Sequence, residues 1–170
     1  MAWQITLDEY GLVMSEERFY SLGGVPTREI IKMLGEEQGV KVDPLAAARR
    51  KEEAYIPLME KLQPVEEVLA IVREVHGKAP MAVATGGTRV GAPRILKRLG
   101  ILELFDAIVT SEDVTEQKPA PDIFLEAARR LGVDPKNCVA YEDTDFGMQA
   151  IRAAGMEAVD VRLLRDRNSA

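Results

Sequence analysis

From about residue 80 onward the sequence predicts an α/β fold, a parallel sheet with helices on both faces. Three observations carry that reading: four short apolar runs of β type, amphipathic stretches between them, and glycines placed to end those stretches. The strand candidates are residues 81–84, 107–110, 139–141 and 158–161, each mainly apolar, as strands covered on both faces are. Helices are expected over about residues 88–99, 121–131 and 146–153, with Gly100, Gly132 and Gly155 as C-caps. Strand–helix alternation with right-handed crossovers makes the sheet open and parallel. In such sheets ligands bind at the carboxyl ends of the strands. Thr85, the loop from Ser111 to Lys118, and Glu142-Asp143 all fall there.

The first part reads instead as helix after helix. Pro26 suits the first turn of a helix running through Ile30, Ile31 and Leu34, which Gly35 or Gly39 ends. Asp43-Pro44 opens a second helix over residues 45–62, with Pro57 set to kink or break it. Pro64 starts a third, whose apolar stripe is Val65, Val68, Leu69 and Val72, before His76-Gly77 stops it. His76 is the only histidine, and a helix C-terminus gives it a dipole to interact with rather than a reaction. The change in texture divides the chain into residues 1–76, helical, and 77–170, α/β.

Composition excludes several functions. The 170 residues can bury a hydrophobic core, and 22 basic against 28 acidic residues give a net charge of -6. No Lys/Arg block marks a nucleic-acid footprint, so DNA and RNA are disfavoured as partners. The single cysteine, Cys138, rules out an internal disulfide and reads as a small core hydrophobe in a buried strand, consistent with a reducing compartment. No apolar stretch approaches the length of a membrane span, and no basic segment precedes an apolar one at the start. A cytoplasmic location is expected.

Three polar groups at the strand ends can carry chemistry. Thr85-Gly86-Gly87 sits between a strand and a helix, where a hydroxyl and bare backbone amides can surround a phosphoryl oxygen. The same residues also describe a Thr N-cap with a tight glycine turn. Lys118 lies in Lys118-Pro119-Ala120-Pro121-Asp122, where prolines fix the point from which a cation emerges to offset phosphate charge. A solvated lysine is the alternative, and Asp122 reads as a first-turn acid. In Glu142-Asp143-Thr144-Asp145 three carboxylates end a buried strand, and their repulsion would be relieved by a divalent cation. One of Asp143 and Asp145 is expected to cap the helix starting at Phe146.

Taken together, the order Thr85, Lys118, Glu142/Asp143 resembles motifs II, III and IV of the haloacid dehalogenase (HAD) superfamily. The strings Ala82-Val83-Ala84-Thr85-Gly86, Lys118-Pro119-Ala120-Pro121-Asp122 and Tyr141-Glu142-Asp143-Thr144-Asp145-Phe146-Gly147-Met148-Gln149-Ala150 resemble the β-phosphoglucomutase and sugar-phosphate phosphatase branch. The resemblance implies a Rossmann-like core over 77–170 and an α-helical cap with its return helix over 1–76, including Gly24-Val25-Pro26-Thr27-Arg28-Glu29. It further implies Mg²⁺-dependent phosphoryl transfer, as phosphatase or phosphomutase, on a small sugar phosphate or similar phosphomonoester. Thr85, Gly86 and Gly87 would bind the phosphoryl group, Lys118 would neutralise it, Glu142 and Asp143 would hold Mg²⁺, and Arg28 would contact the distal end of the substrate.

Members of that family begin with a strand ending in Asp-x-Asp-Gly-Thr, whose first Asp attacks phosphorus. The 170 residues contain no such segment, and Asp143-Thr144-Asp145, the one Asp-x-Asp, belongs to motif IV. Met1-Ala2-Trp3 resembles the middle of the first cap helix. The first central strand is therefore expected to be absent, leaving a slot between the strands ending at Thr85 and Tyr141. Three expectations follow: these two strands close together or another segment or chain fills the slot, exposed sheet edges allow self-association, and the chain as given is inactive. The alternative is a non-catalytic phosphate-binding or structural remnant of such a protein. A phospho-receiver domain is set aside, because there the acidic pair comes first and the lysine last.

Overall fold

The computed structural model describes residues 2–23 and 25–167. Gly24 of the 24–29 string lies outside the described residues. The chain forms two compact units, Met1–Leu62 and Gln63–Ala170.

In the first unit, α1 (Ala2–Tyr10), α2 (Glu16–Ser21), α3 (Thr27–Gln38) and α4 (Pro44–Tyr55) surround Leu7, Leu12, Leu22, Ile30, Ile31, Leu34 and Ala47. Asp43 starts α4 by accepting from the amides of Leu45 at 2.9 Å and Ala46 at 3.2 Å. Of the two glycines expected to end α3, Gly39 does so, with φ +67°. Gly35 stays inside the helix, where a β-carbon would strike Val42 Cγ1. The long helix expected over 45–62 stops at Tyr55, and Pro57 lies in a 3-10 turn, Ile56–Lys61.

The second unit runs α5 (Glu66–Val75), β1 (Ala82–Ala84), α6 (Gly91–Arg98), β2 (Ala107–Val109), α7 (Asp122–Leu131), β3 (Val139–Glu142), α8 (Asp145–Ala153), β4 (Glu157–Asp160) and α9 (Val161–Arg167). The return helix α5 thus belongs to this unit. Gly100, Gly132 and Gly155 take φ of +70°, +68° and +75° at the ends of α6, α7 and α8, as the C-cap reading requires. The fold is the expected α/β with parallel strands, but the strands form two pairs. β1 pairs with β2, from Ala82 opposite Ala107 to Ala84 opposite Val109, and β3 with β4, from Val139 opposite Glu157 to Glu142 opposite Asp160. Among the described residues no ladder joins β1 to β3. Side chains join the halves: Val109, Ile123, Phe124, Ala150 and Ile151 form one core, against which Ala82 and Ala84 pack from one pair and Ala140 and Ala158 from the other.

Two expectations are corrected here. β3 is not covered on both faces, since Val139 is 50 % exposed and Tyr141 40 %, while the alternate residues Ala140 and Glu142 turn inward. Cys138 precedes the strand instead of lying in it, closing the 3-10 turn Pro135–Asn137 with its thiol donating to the Asp134 carbonyl. Burial raises that thiol's pKa, which keeps it a small hydrophobe. No helix among the described residues is long and apolar enough to cross a membrane.

Candidate phosphate and metal site

β1 and β2 run parallel, and their ladder continues one step past β1, where the Thr85 amide donates to Val109 O at 2.9 Å. The chain then turns. Thr85 Oγ1 accepts from the Gly87 amide at 3.0 Å, the tight-turn arrangement, and the hydroxyl proton stays available to a further acceptor. Gly87 O in turn accepts from both the amide and the hydroxyl of Ser111, each at 3.1 Å. The loop after β1 is thereby fastened to the loop after β2.

Lys118 closes that second loop. The solvated alternative fails: its side chain is 7 % exposed, and Nζ donates to Glu142 Oε2 at 2.6 Å while lying 5.0 Å from the centre of the Phe124 ring. Gln117, the preceding residue, anchors the loop by donating from Nε2 to Ser111 O at 2.9 Å. Glu142 is held from its other oxygen too, Oε1 accepting from the amides of Asp143 and Thr144 and from Thr144 Oγ1, each at 3.0 Å. Burial opposes ionisation of this carboxyl, but the Lys118 ammonium and the turn donors outweigh it and hold its pKa below the ordinary value. Partial burial and the adjacent Glu142 carboxylate push the pKa of Asp143 up.

The capping expectation is corrected. Neither acid caps α8, because Thr144 does so, with an extended backbone and its hydroxyl accepting from the Gly147 amide at 3.1 Å. Asp145 turns away to pair with Arg162 at 2.9 Å and is 79 % exposed, so the trio of carboxylates reduces to Glu142 and Asp143. No group of three or more His, Cys, Asp or Glu suited to a metal occurs among the described residues. Two adjacent carboxylates, one of them destabilised by its neighbour's charge, still fit Mg²⁺, which keeps several waters and takes one or two carboxylates beside a phosphate.

Arg28 belongs to the first unit, in the first turn of α3, where its Nε donates to Glu29 Oε1 at 3.2 Å and both side chains are about half exposed. Two residues without an assigned role prove structurally decisive in the second unit. Gly147 is bare because a β-carbon there would overlap the carboxyl carbon and Oε2 of Glu142. A glycine in the first turn of an otherwise ordinary helix was the available signal. Asp113 collects bonds from Thr110, Arg89 and Arg130, an arrangement no local spacing announces.

Residues 2–161 match the sequence profile of haloacid dehalogenase-like hydrolases. The chain is 44% identical to the fructose-1-phosphate phosphatase YqaB of Escherichia coli (strain K12) over 96% of its own length and 87% of that protein. It is 30% identical to the β-phosphoglucomutase of Bacillus subtilis (strain 168), over 95% of its length and 74% of that protein. The crystal structure of a β-phosphoglucomutase from Clostridium difficile superposes with a TM-score of 0.84 at 26% identity, covering 94% of this chain and 75% of that one. CbbY from Rhodobacter sphaeroides, crystallised with phosphate, gives 0.80 at 26% identity over 92% and 75%. With its profile match spanning both units and its relatives matched over most of their length, this chain belongs to the haloacid dehalogenase-like hydrolases.

Proposed function

We propose that the second unit binds the phosphoryl group of a small sugar phosphate, or a similar phosphomonoester, together with Mg²⁺. The observation that carries this reading is the buried Lys118–Glu142 pair, one partner on the loop after β2 and the other ending β3. An ammonium has three N–H donors, and Glu142 takes one, so Lys118 has others for a phosphoryl oxygen. Thr85 Oγ1, accepting from Gly87, donates its own proton to a second oxygen, and the amides of Gly86 and Gly87 add uncharged donors. Glu142 and Asp143 would hold Mg²⁺, and the ion supplies positive charge against that developing on the transferred group. Residues 1–76 act as the cap and return helix. The phosphatase and phosphomutase relatives support a sugar phosphate as ligand.

The reading includes a chemical limit. An aspartyl-phosphate route needs an Asp nucleophile, and the 170 residues hold no Asp-x-Asp-Gly-Thr. This chain therefore binds phosphate and Mg²⁺ and turns over sugar phosphates negligibly. Calorimetric titration of inorganic phosphate with Mg²⁺ tests the first part: saturable binding is expected, weakened in Thr85→Val and Lys118→Arg. Phosphate release from fructose 1-phosphate, glucose 1-phosphate and p-nitrophenyl phosphate tests the second. Robust turnover that Glu142→Ala abolishes would show that some other group serves as nucleophile.

A further inference from the structure

Asp113 stands outside the proposed ligand contacts, yet its two oxygens join the elements that bear them. Oδ2 accepts from the amide of Thr110 at 2.8 Å and from its hydroxyl at 2.6 Å. Oδ1 accepts from Arg89 Nη2 at 2.8 Å and from Arg130 Nη2 at 2.9 Å. The carboxylate is 9 % exposed, and Thr110 is buried beside it. Arg130 comes from α7 and also donates from Nη1 to Ile108 O in β2 at 2.8 Å. Arg89 comes from the loop that holds Thr85, Gly86 and Gly87, and its own amide donates to Glu112 Oε2 at 2.9 Å.

Geometry gives these bonds a task. The β1–β2 ladder ends at the Thr85 amide, so beyond it two separate loops carry the hydroxyl and amides on one side and the ammonium on the other. Beyond the single backbone bond from the Ser111 amide to Gly87 O, their spacing is set by side chains. Ser111 supplies one link, through Gly87 O, and Glu112 a second, through the Arg89 amide; Asp113 supplies a third, through the Arg89 guanidinium, and anchors it to Thr110 and α7. Asp113 itself is nearly buried and held by Thr110 and Arg130, whereas the Arg89 side chain is 64 % exposed, so the arm through Arg89 contributes direction more than strength. Anion sites gain affinity when their donors are fixed before the ligand arrives.

We infer that Asp113 is a positioning residue for the phosphoryl site, clamping the Thr85 loop to the Lys118 loop through Arg89. The clamp itself is read from the contacts; its functional consequence rests on the phosphate-binding reading above. Asp113→Asn keeps shape and an acceptor for Thr110 but presents an amide where the guanidinium groups expect an anion.

The experiment uses the 170-residue protein, with inorganic phosphate as probe and amide hydrogen exchange followed residue by residue. In Asp113→Asn, phosphate affinity is expected to fall by about tenfold or more, and exchange at the Arg89 and Ser111 amides to rise by a similar factor, about tenfold. The double variant Arg89→Ala/Asp113→Asn should bind phosphate no worse than the weaker single variant. Ile151→Val, a core change in α8 and on neither loop, should lower stability while leaving phosphate affinity and those two amides unchanged. Equal affinity losses in Ile151→Val and Asp113→Asn would reduce Asp113 to general scaffolding and overturn the inference. So would unchanged exchange at Arg89 and Ser111. If wild-type protein shows no saturable phosphate binding, the binding reading fails, and the exchange data alone then decide whether the clamp exists.

Discussion

Glycine-to-alanine changes inside helices ordinarily add about 1 kcal/mol of stability through propensity. At Gly147 the sign should reverse, because the new β-carbon and the Glu142 carboxyl would compete for one position. Moving that carboxyl means breaking its bonds to Lys118, Asp143 and Thr144, or shifting the first turn of α8. Gly147→Ala is expected to destabilise the protein by about 1–3 kcal/mol, the range for overpacked sites, measured by urea denaturation. A gain in stability would show that Glu142 does not rest against α8. At this scale the sequence displayed Lys118 and Glu142 as chemically apt residues at strand ends, but not their mutual pairing, because 24 positions separate them. Thr144 as cap was likewise hidden between Asp143 and Asp145, both acceptable N-caps by type; the extended backbone at Thr144 decides it.

Helix α7 shows what a charged face does for an element. Glu126 accepts from Arg129 Nε and from Arg130 Nε, each at 2.7 Å, and Arg130 passes on to Asp113. The two arginines lower the Glu126 carboxyl from 4.5 to about 2. A carboxyl whose folded pKa lies below its unfolded one contributes stability that is complete above about pH 4.5 and fades as pH falls towards about 2. The stability difference between wild type and Glu126→Gln should therefore be larger at about pH 5 than at about pH 3. Urea titrations at the two pH values read it, and a constant difference would mean the pairs are not formed. A second element test lies in α4, where Asp43→Ala removes an acceptor for two amides and should cost about 0.5–2 kcal/mol. Helices α3, α5, α6, α7 and α8 were legible in the sequence to within a few residues, since capping and proline signals are local, whereas no expectation bounded α2 or covered α9. The early end of α4 at Tyr55 follows from Pro57, whereas the bare outer face of β3 depends on what else packs there, which no local pattern records.

For the whole molecule, the α/β reading rested on periodicity and held. What periodicity leaves open is strand pairing, which depends on segments far apart in the chain. The pairing found here is two plus two, with one shared core. Ile151, fully buried in that core, should cost about 2–5 kcal/mol when replaced by alanine, read by denaturation. Adding a β-strand that ends in Asp-x-Asp-Gly-Thr ahead of residue 1 is expected to raise phosphate release well above that of the 170 residues alone. If the extended protein folds and binds Mg²⁺ yet stays silent, the non-catalytic remnant is the correct account. The two ladders also have a consequence for cooperativity. Backbone bonds transmit register rigidly, whereas side-chain contact between β1–β2 and β3–β4 leaves each pair its own melting unit, so amides of Ala84 and Tyr141 can lose protection at different denaturant concentrations within a single domain core.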